Sequence, residues 1–211
     1  MSAAQASVVE WMTAAEWTAA GLGLVNIALL VRRSVWNYPF GMTMVTLYAF
    51  VFWHQRLYAE AGLQGFFFLA QGWGWWLWLR ALHRQGEASG QGVPVRWLDP
   101  MSRLVWLVAT LALALNLGLV LNRFTDAAMP FADAAIAGAS VTAQVLLAFR
   151  RVENWIVWIA VDVAAIALYL NRGLYPTSGL YLLLLVMSVF GLIEWVRVAR
   201  ADAASKAGNT A

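Results

Sequence analysis

Eight side chains of this 211-residue chain have types and spacings suited to holding a solute: Asn154, Trp158 and Asp162; Gln71, Trp73, Trp75 and Trp78; and Asn37. Asn154, Trp158 and Asp162 recur at i, i+4 and i+8, which lays them near one face of a helix. A carboxylate halfway along an apolar span costs about 2.5–3.5 kcal/mol on insertion scales, so Asp162 requires a cation, a donor or water. Two readings stand: a structural carboxyl hydrogen-bonded to a neighbouring helix, or a site for a cationic or donor-rich solute. Gln71, Trp75 and Trp78 recur at i, i+4 and i+7 in the string Gln71-Gly-Trp-Gly-Trp-Trp-Leu-Trp. An amide beside indoles suits a flat polar ring, and Gly72 and Gly74 allow close approach of a ligand or a neighbouring helix. An interfacial tryptophan belt accounts for Trp76, and fits Trp73 and Trp78 as well as binding does; Trp75 points to binding. Asn37 opens Trp36-Asn-Tyr-Pro-Phe-Gly41, where Pro39 is a normal first-turn residue. Both Asn37 and Asn154 also suit capping of a helix start.

The same inventory argues against enzyme chemistry. The two His, His54 and His83, fall in loops on opposite sides, there is no Cys, and no His or Cys cluster has metal-ligand spacing. No GxxxxGK[ST] loop is present, so the chain holds no ATP motor. The sole Lys, Lys206, lies in the tail, which excludes a Schiff base inside a membrane. Asp162 is a lone mid-span acid, without the second acid or nucleophile–base pair that a membrane hydrolase needs. No cofactor or metal is implied.

The elements that must position these residues are membrane helices. Hydrophobic residues make up 62% of the chain and charged ones 12%, about half the charge of a soluble domain. The apolar runs predict seven spans, roughly 14–31, 36–53, 61–80, 103–121, 131–149, 154–170 and 177–196. No basic residue precedes the first span, which argues against a cleavable signal. Arg56, Arg123 and Arg172 lie in the even-numbered loops; the other eleven basic residues lie in the odd-numbered loops and the C-terminal tail. The positive-inside bias places the N-terminus outside and the tail in the cytoplasm, and accounts for the net charge of +3 without nucleic acid as a partner. Glu153 and Glu194 read as helix-end partners of those arginines. The tail from Ala201 reads as disordered.

The chain also repeats itself at an offset of 117 residues: Arg33 on Arg150, Asn37 on Asn154, Gly74 on Gly191 and Trp78 on Trp195. Gly41 and Val45 stand where the second copy has Trp158 and Asp162, and Ser188 and Leu192 where the first has Gln71 and Trp75. Each copy has three helices, and the fourth span has no counterpart. One linking helix leaves both triplets facing the same way, giving an all-α integral membrane fold of two parallel three-helix repeats in a 3+1+3 order. The divisions are an external segment 1–13, a first repeat 14–84, a loop, linking helix and external loop 85–130, a second repeat 131–197 and a cytoplasmic tail 198–211.

The motifs together resemble the PnuC family of vitamin transporters. Asn37-Tyr-Pro-Phe-Gly41, Arg56-Leu-Tyr-Ala59, Leu63-Gln-Gly-Phe-Phe67 and Gly74-Trp-Trp-Leu-Trp78 are similar to its first half; Glu153-Asn-Trp-Ile-Val-Trp158, Asp162 and Gly173-Leu-Tyr175 are similar to its second. The resemblance covers about residues 14–197. It implies a bacterial inner-membrane, multi-pass protein with a SWEET-like fold, assembled as a homo-trimer and working by facilitated diffusion, with a cytoplasmic kinase trapping the import. Nicotinamide riboside is the substrate the resemblance implies first, with thiamine as the alternative; other relatives take riboflavin or deoxynucleosides. Carried over by position, Asn154 and Trp158 match the family's sixth-helix motif, and Gly74, Trp75 and Trp78 its third-helix motif. Gln71 and Trp73 replace the Asn and Tyr of some members, departures that bear on substrate rather than fold.

Overall fold

The computed structural model describes residues 3–54, 58–85, 93–125, 129–171 and 175–208. Arg56-Leu57 and Gly173-Leu174, quoted above among the motifs, lie outside them. The described residues form seven α-helices: α1 (Ala3–Val31), α2 (Asn37–His54), α3 (Tyr58–Gln85), α4 (Pro100–Phe124), α5 (Pro130–Ala148), α6 (Glu153–Asn171) and α7 (Tyr175–Gly208). The fold is all-α. By length and composition Pro100–Phe124, Pro130–Ala148, Glu153–Asn171 and Ser178–Asp202 can each cross a membrane, and Trp17–Val31 is a shorter apolar helix. The α3 helix carries Gln, Glu, Arg and His along its length and is less apolar than the others, although its tryptophans suit an interface.

The helices divide into two compact units, Met1–Val93 and Pro94–Ala211. In the first, α1 packs on α2 and α2 on α3; in the second, consecutive helices pack from α4 through α7.

Within each unit the same turn sets the direction of the triplet. Arg33 and Arg150 have φ of 56° and 58°, the left-handed region. Arg33 N–H donates to Leu30 O at 2.9 Å and Ser34 N–H to Leu29 O at 3.0 Å; Arg150 N–H donates to Leu147 O at 2.8 Å and Arg151 N–H to Leu146 O at 2.9 Å. These pairs close Schellman caps on α1 and α5, with an arginine where glycine is usual. The next helix then locks the turn from the other side. Asn37 Nδ2 donates to Ser34 O and Asn154 Nδ2 to Arg151 O, both at 2.6 Å.

A ring seated on a glycine follows in each copy. A Cβ at Gly74 would lie 2.8 Å from the Tyr38 hydroxyl, and one at Gly191 2.5 Å from Trp155. Removing the side chain lets the two helices approach until the rings meet their neighbours edge-on. Tyr38 meets Trp78 at 5.4 Å and 88°, and Trp155 meets Trp195 at 5.6 Å and 88°.

The segment before α4 is tied to these turns. Val93 N–H donates to Arg33 O at 3.3 Å in the first unit. In the second, Arg96 N–H donates to Arg150 O and Val152 N–H to Arg96 O, both at 3.1 Å. Glu153 accepts from Leu98 N–H at 3.0 Å and from Arg103 Nε at 2.9 Å. The expected pairing of Glu153 with an arginine is present, but the carboxylate is buried rather than interfacial. Asp99 caps α4, accepting from Ser102 N–H at 2.9 Å and from its hydroxyl at 2.6 Å, with Pro100 in the first turn. Those two donors hold the Asp99 carboxyl below the usual carboxylate range.

Three expectations differ from the structure. The tail from Ala201 was expected to be disordered, yet α7 continues to Gly208, because the alanines there are strong helix formers that outweigh the polarity of the segment. The first helix begins at Ala3, ahead of the expected span start at residue 14. His54 and His83 lie in helices rather than loops. Each ring Nδ1 donates to the carbonyl four residues earlier, Phe50 O and Leu79 O, at 2.9 Å.

Candidate functional site

In the first unit, α3 turns Gln71, Gly74, Trp75 and Trp78 inward, at i, i+3, i+4 and i+7. Trp73 is 41% exposed and lies on the outer face, as does Trp76 beneath the Arg80 guanidinium at 4.6 Å. Trp78 is fully buried against Tyr38. Trp75 is half-buried. Gln71 is buried, and its amide lies over Gly41 together with the amide of Asn26 from α1. Asn26 Nδ2 donates to Asn37 O at 2.8 Å. Three helices therefore bring amide groups together at the space left by one missing side chain. Asn37 joins this group through its carbonyl, while its side chain serves the turn.

In the second unit, Asn154, Trp158 and Asp162 share the buried face of α6 with Val161, Ala165 and Leu168. Asp162 is 3% exposed and accepts from the Ser188 hydroxyl of α7 at 3.0 Å. One hydroxyl satisfies one of roughly four lone-pair sites on a carboxylate, so Asp162 retains acceptor capacity. Asn154 is fully buried. Its Nδ2 is used on the turn, and among the described residues its Oδ1 has no hydrogen-bond partner; the adjacent Trp155 Nε1 likewise has none. Trp158 is half-buried one turn before Asp162. The Tyr169 and Tyr181 rings meet at 5.3 Å, seven residues after Asp162 and seven before Ser188.

Comparing the copies places the polar groups on matched positions. Gln71 and Ser188 are repeat mates, and both are buried polar residues of the last helix of their triplet that reach toward the helix before. Gln71 meets Gly41, whereas Ser188 meets Asp162, the mate of Val45. The donor and acceptor types thus differ between two frames built from the same turns. The sequence did not single out Asn26, Tyr169 or Tyr181. The signal for the tyrosines was their heptad spacing from Asp162 and Ser188; Asn26 has Ala143 as its mate and carried no signal. Among the described residues, no group of three His, Asp or Glu converges as a metal site would need.

Two units of apolar helices, one with buried amides and one with a buried carboxylate, suit a membrane protein with polar groups inside it, and known proteins define the class. The sequence profile of the nicotinamide mononucleotide transporter family matches residues 13–197, and the chain belongs to that family. It is a multi-pass membrane transporter for a small-molecule vitamin, not an enzyme. It is 31% identical over 207 residues to the nicotinamide riboside transporter PnuC of Escherichia coli (strain K12), covering 87% of this chain and 84% of that one. It is also 26% identical over 183 residues to the riboflavin/roseoflavin transporter RibM of Streptomyces davaonensis, covering 86% and 84%. A crystal structure of the vitamin B3 transporter PnuC superposes with a TM-score of 0.74 at 26% identity, covering 94% of this chain and 87% of that chain. The expected all-helical, PnuC-like fold is therefore present.

Proposed function

We propose that this protein carries nicotinamide riboside across the bacterial inner membrane by facilitated diffusion, for NAD synthesis, with a cytoplasmic kinase trapping the import. The observation that carries the reading is the buried Asp162, one turn from the half-buried Trp158 ring and held by a single hydroxyl. A cationic pyridinium gains from both an anionic oxygen and an indole face, the latter worth about 0.5–2 kcal/mol. Gln71 and Trp75 supply the amide and aromatic groups of the first unit, and the unpartnered Asn154 Oδ1 can accept from a carboxamide or a ribose hydroxyl. Trp73, Trp78 and Asn37 have smaller shares, because Trp78 packs on Tyr38, Asn37 holds its turn and Trp73 faces outward. The 31% identity to a nicotinamide riboside transporter supports the same substrate.

Thiamine is the alternative, since it too is a cationic heteroaromatic and Asp162 suits both. Riboflavin is neutral and would gain little from that carboxylate. Calorimetric titration of the purified protein with the three vitamins tests the choice. Nicotinamide riboside is expected to bind with the highest affinity; tight thiamine binding with no response to nicotinamide riboside overturns it.

A further inference from the structure

At the start of α4, a cavity of about 210 Å³ opens between Leu98, Ser102 and Trp106 on one side and Leu146, Phe149 and Arg151 on the other. Four of these walls are apolar. The Ser102 hydroxyl already donates to Asp99, so the charge chemistry of the cavity rests on Arg151. That guanidinium spends one terminal nitrogen on Trp97 O at 3.3 Å, a small part of its five donors. Arg96 is exposed nearby in sequence, and Arg103 engages Glu153 through Nε alone with its side chain half exposed. The acids flanking the cavity residues in sequence are Asp99, ionised at its cap, and Glu153, paired with Arg103. Four arginines (96, 103, 150 and 151) outnumber them, and the balance is positive.

On the side of α4 that carries Ser102 and Trp106, the helix stays apolar and uncovered: Val105 is 58% and Leu113 40% exposed. A basic group thus borders apolar walls where a membrane helix emerges. The residues that give this cavity its charge and its α4 wall have no counterparts in the other repeat. The mate of Arg151 is Ser34, and α4, which supplies Ser102 and Trp106, has no mate at all. The shared turn therefore does not require an arginine at that position.

We propose that this cavity holds one anionic phospholipid, its phosphate on Arg151 and its acyl chain against Trp106 and the exposed face of α4. A guanidinium fork fits two phosphate oxygens, and basic pockets between membrane helices take lipid headgroups. The apolar walls favour a lipid over free phosphate, because an inorganic anion would leave Leu98, Trp106, Leu146 and Phe149 without a partner.

Native mass spectrometry of the detergent-purified protein, with equimolar phosphatidylglycerol and phosphatidylcholine of matched chains, tests this. The wild type is expected to retain one phosphatidylglycerol with at least about a fivefold preference. Arg151→Gln loses that preference, Arg151→Lys keeps part of it, and Arg200→Gln, which removes an arginine that does not line the cavity, keeps all of it. Retention by Arg151→Gln equal to wild type overturns the proposal, as does an equal loss in Arg200→Gln, which reports bulk charge. If Arg151→Gln does not fold, a full phosphatidylglycerol preference in Arg151→Lys makes charge alone sufficient and overturns the guanidinium assignment. Inorganic phosphate is titrated in parallel by thermal shift. Stabilisation of the wild type by millimolar phosphate that is lost in Arg151→Lys overturns the lipid in favour of a free anion.

Discussion

Asp162 and Gln71 separate substrate contact from packing, because each has a neighbour that can be altered without disturbing the frame. Asp162→Asn keeps an acceptor for Ser188 and removes only the charge. Affinity for a cationic vitamin is expected to fall about tenfold with an unchanged melting temperature, read by calorimetry and thermal unfolding; a purely structural carboxyl would leave affinity unchanged. Gly41→Ala places a methyl where the Gln71 and Asn26 amides now lie. Both are ends of flexible side chains, so the fold tolerates the change, while the displaced amides cost about tenfold in affinity by loss of one or two hydrogen bonds. Asn26→Ala, which frees the Asn37 carbonyl, is expected to weaken binding in the same direction. Asp162 and Trp158 stood out as candidates from the sequence, because a carboxylate in an apolar run demands an explanation. Asn26 was not legible: one amide in an apolar helix becomes informative only once a neighbouring glycine is known to face it.

The helices and their repeat were plain in the sequence, since apolar runs and matched identities survive without any knowledge of packing. The αL caps were not, because arginine carries no signature of positive φ. Arg33 and Arg150 read as charge alone, and the structure adds a backbone duty. Glycine at either position would relieve a strain of about 1 kcal/mol, so Arg150→Gly is expected to raise the melting temperature in detergent. The α4 cap gives a pH-dependent counterpart. Asp99 has its carboxyl lowered from 3.8 by Ser102, so its stabilisation is complete above that pH and is lost as pH falls through the lower, folded-state value. Asp99→Ala is expected to melt below wild type at pH 7, and the two curves should converge in stronger acid.

The two units have the same turns and ring-on-glycine contacts but different polar residues, which suits a carrier whose frame is repeated and whose recognition is not. In proteoliposomes, uptake of nicotinamide riboside is expected to stop at equal concentrations on both sides and to ignore a proton gradient. Continued accumulation without a kinase would point to coupling. The complete lack of cysteine makes orientation testable directly: Ala204→Cys in intact cells is expected to resist an impermeant thiol reagent, as a cytoplasmic tail requires. The arginine turns connect this orientation to biogenesis. Arg33 and Arg150 have a backbone duty after folding, and the proposed orientation gives them a second one, topogenic charge during insertion. A glycine variant that melts later in detergent can still yield less correctly inserted protein in the cell, because the translocon reads the charge before the turn exists. Expression level and thermal stability are therefore expected to move in opposite directions at these two residues.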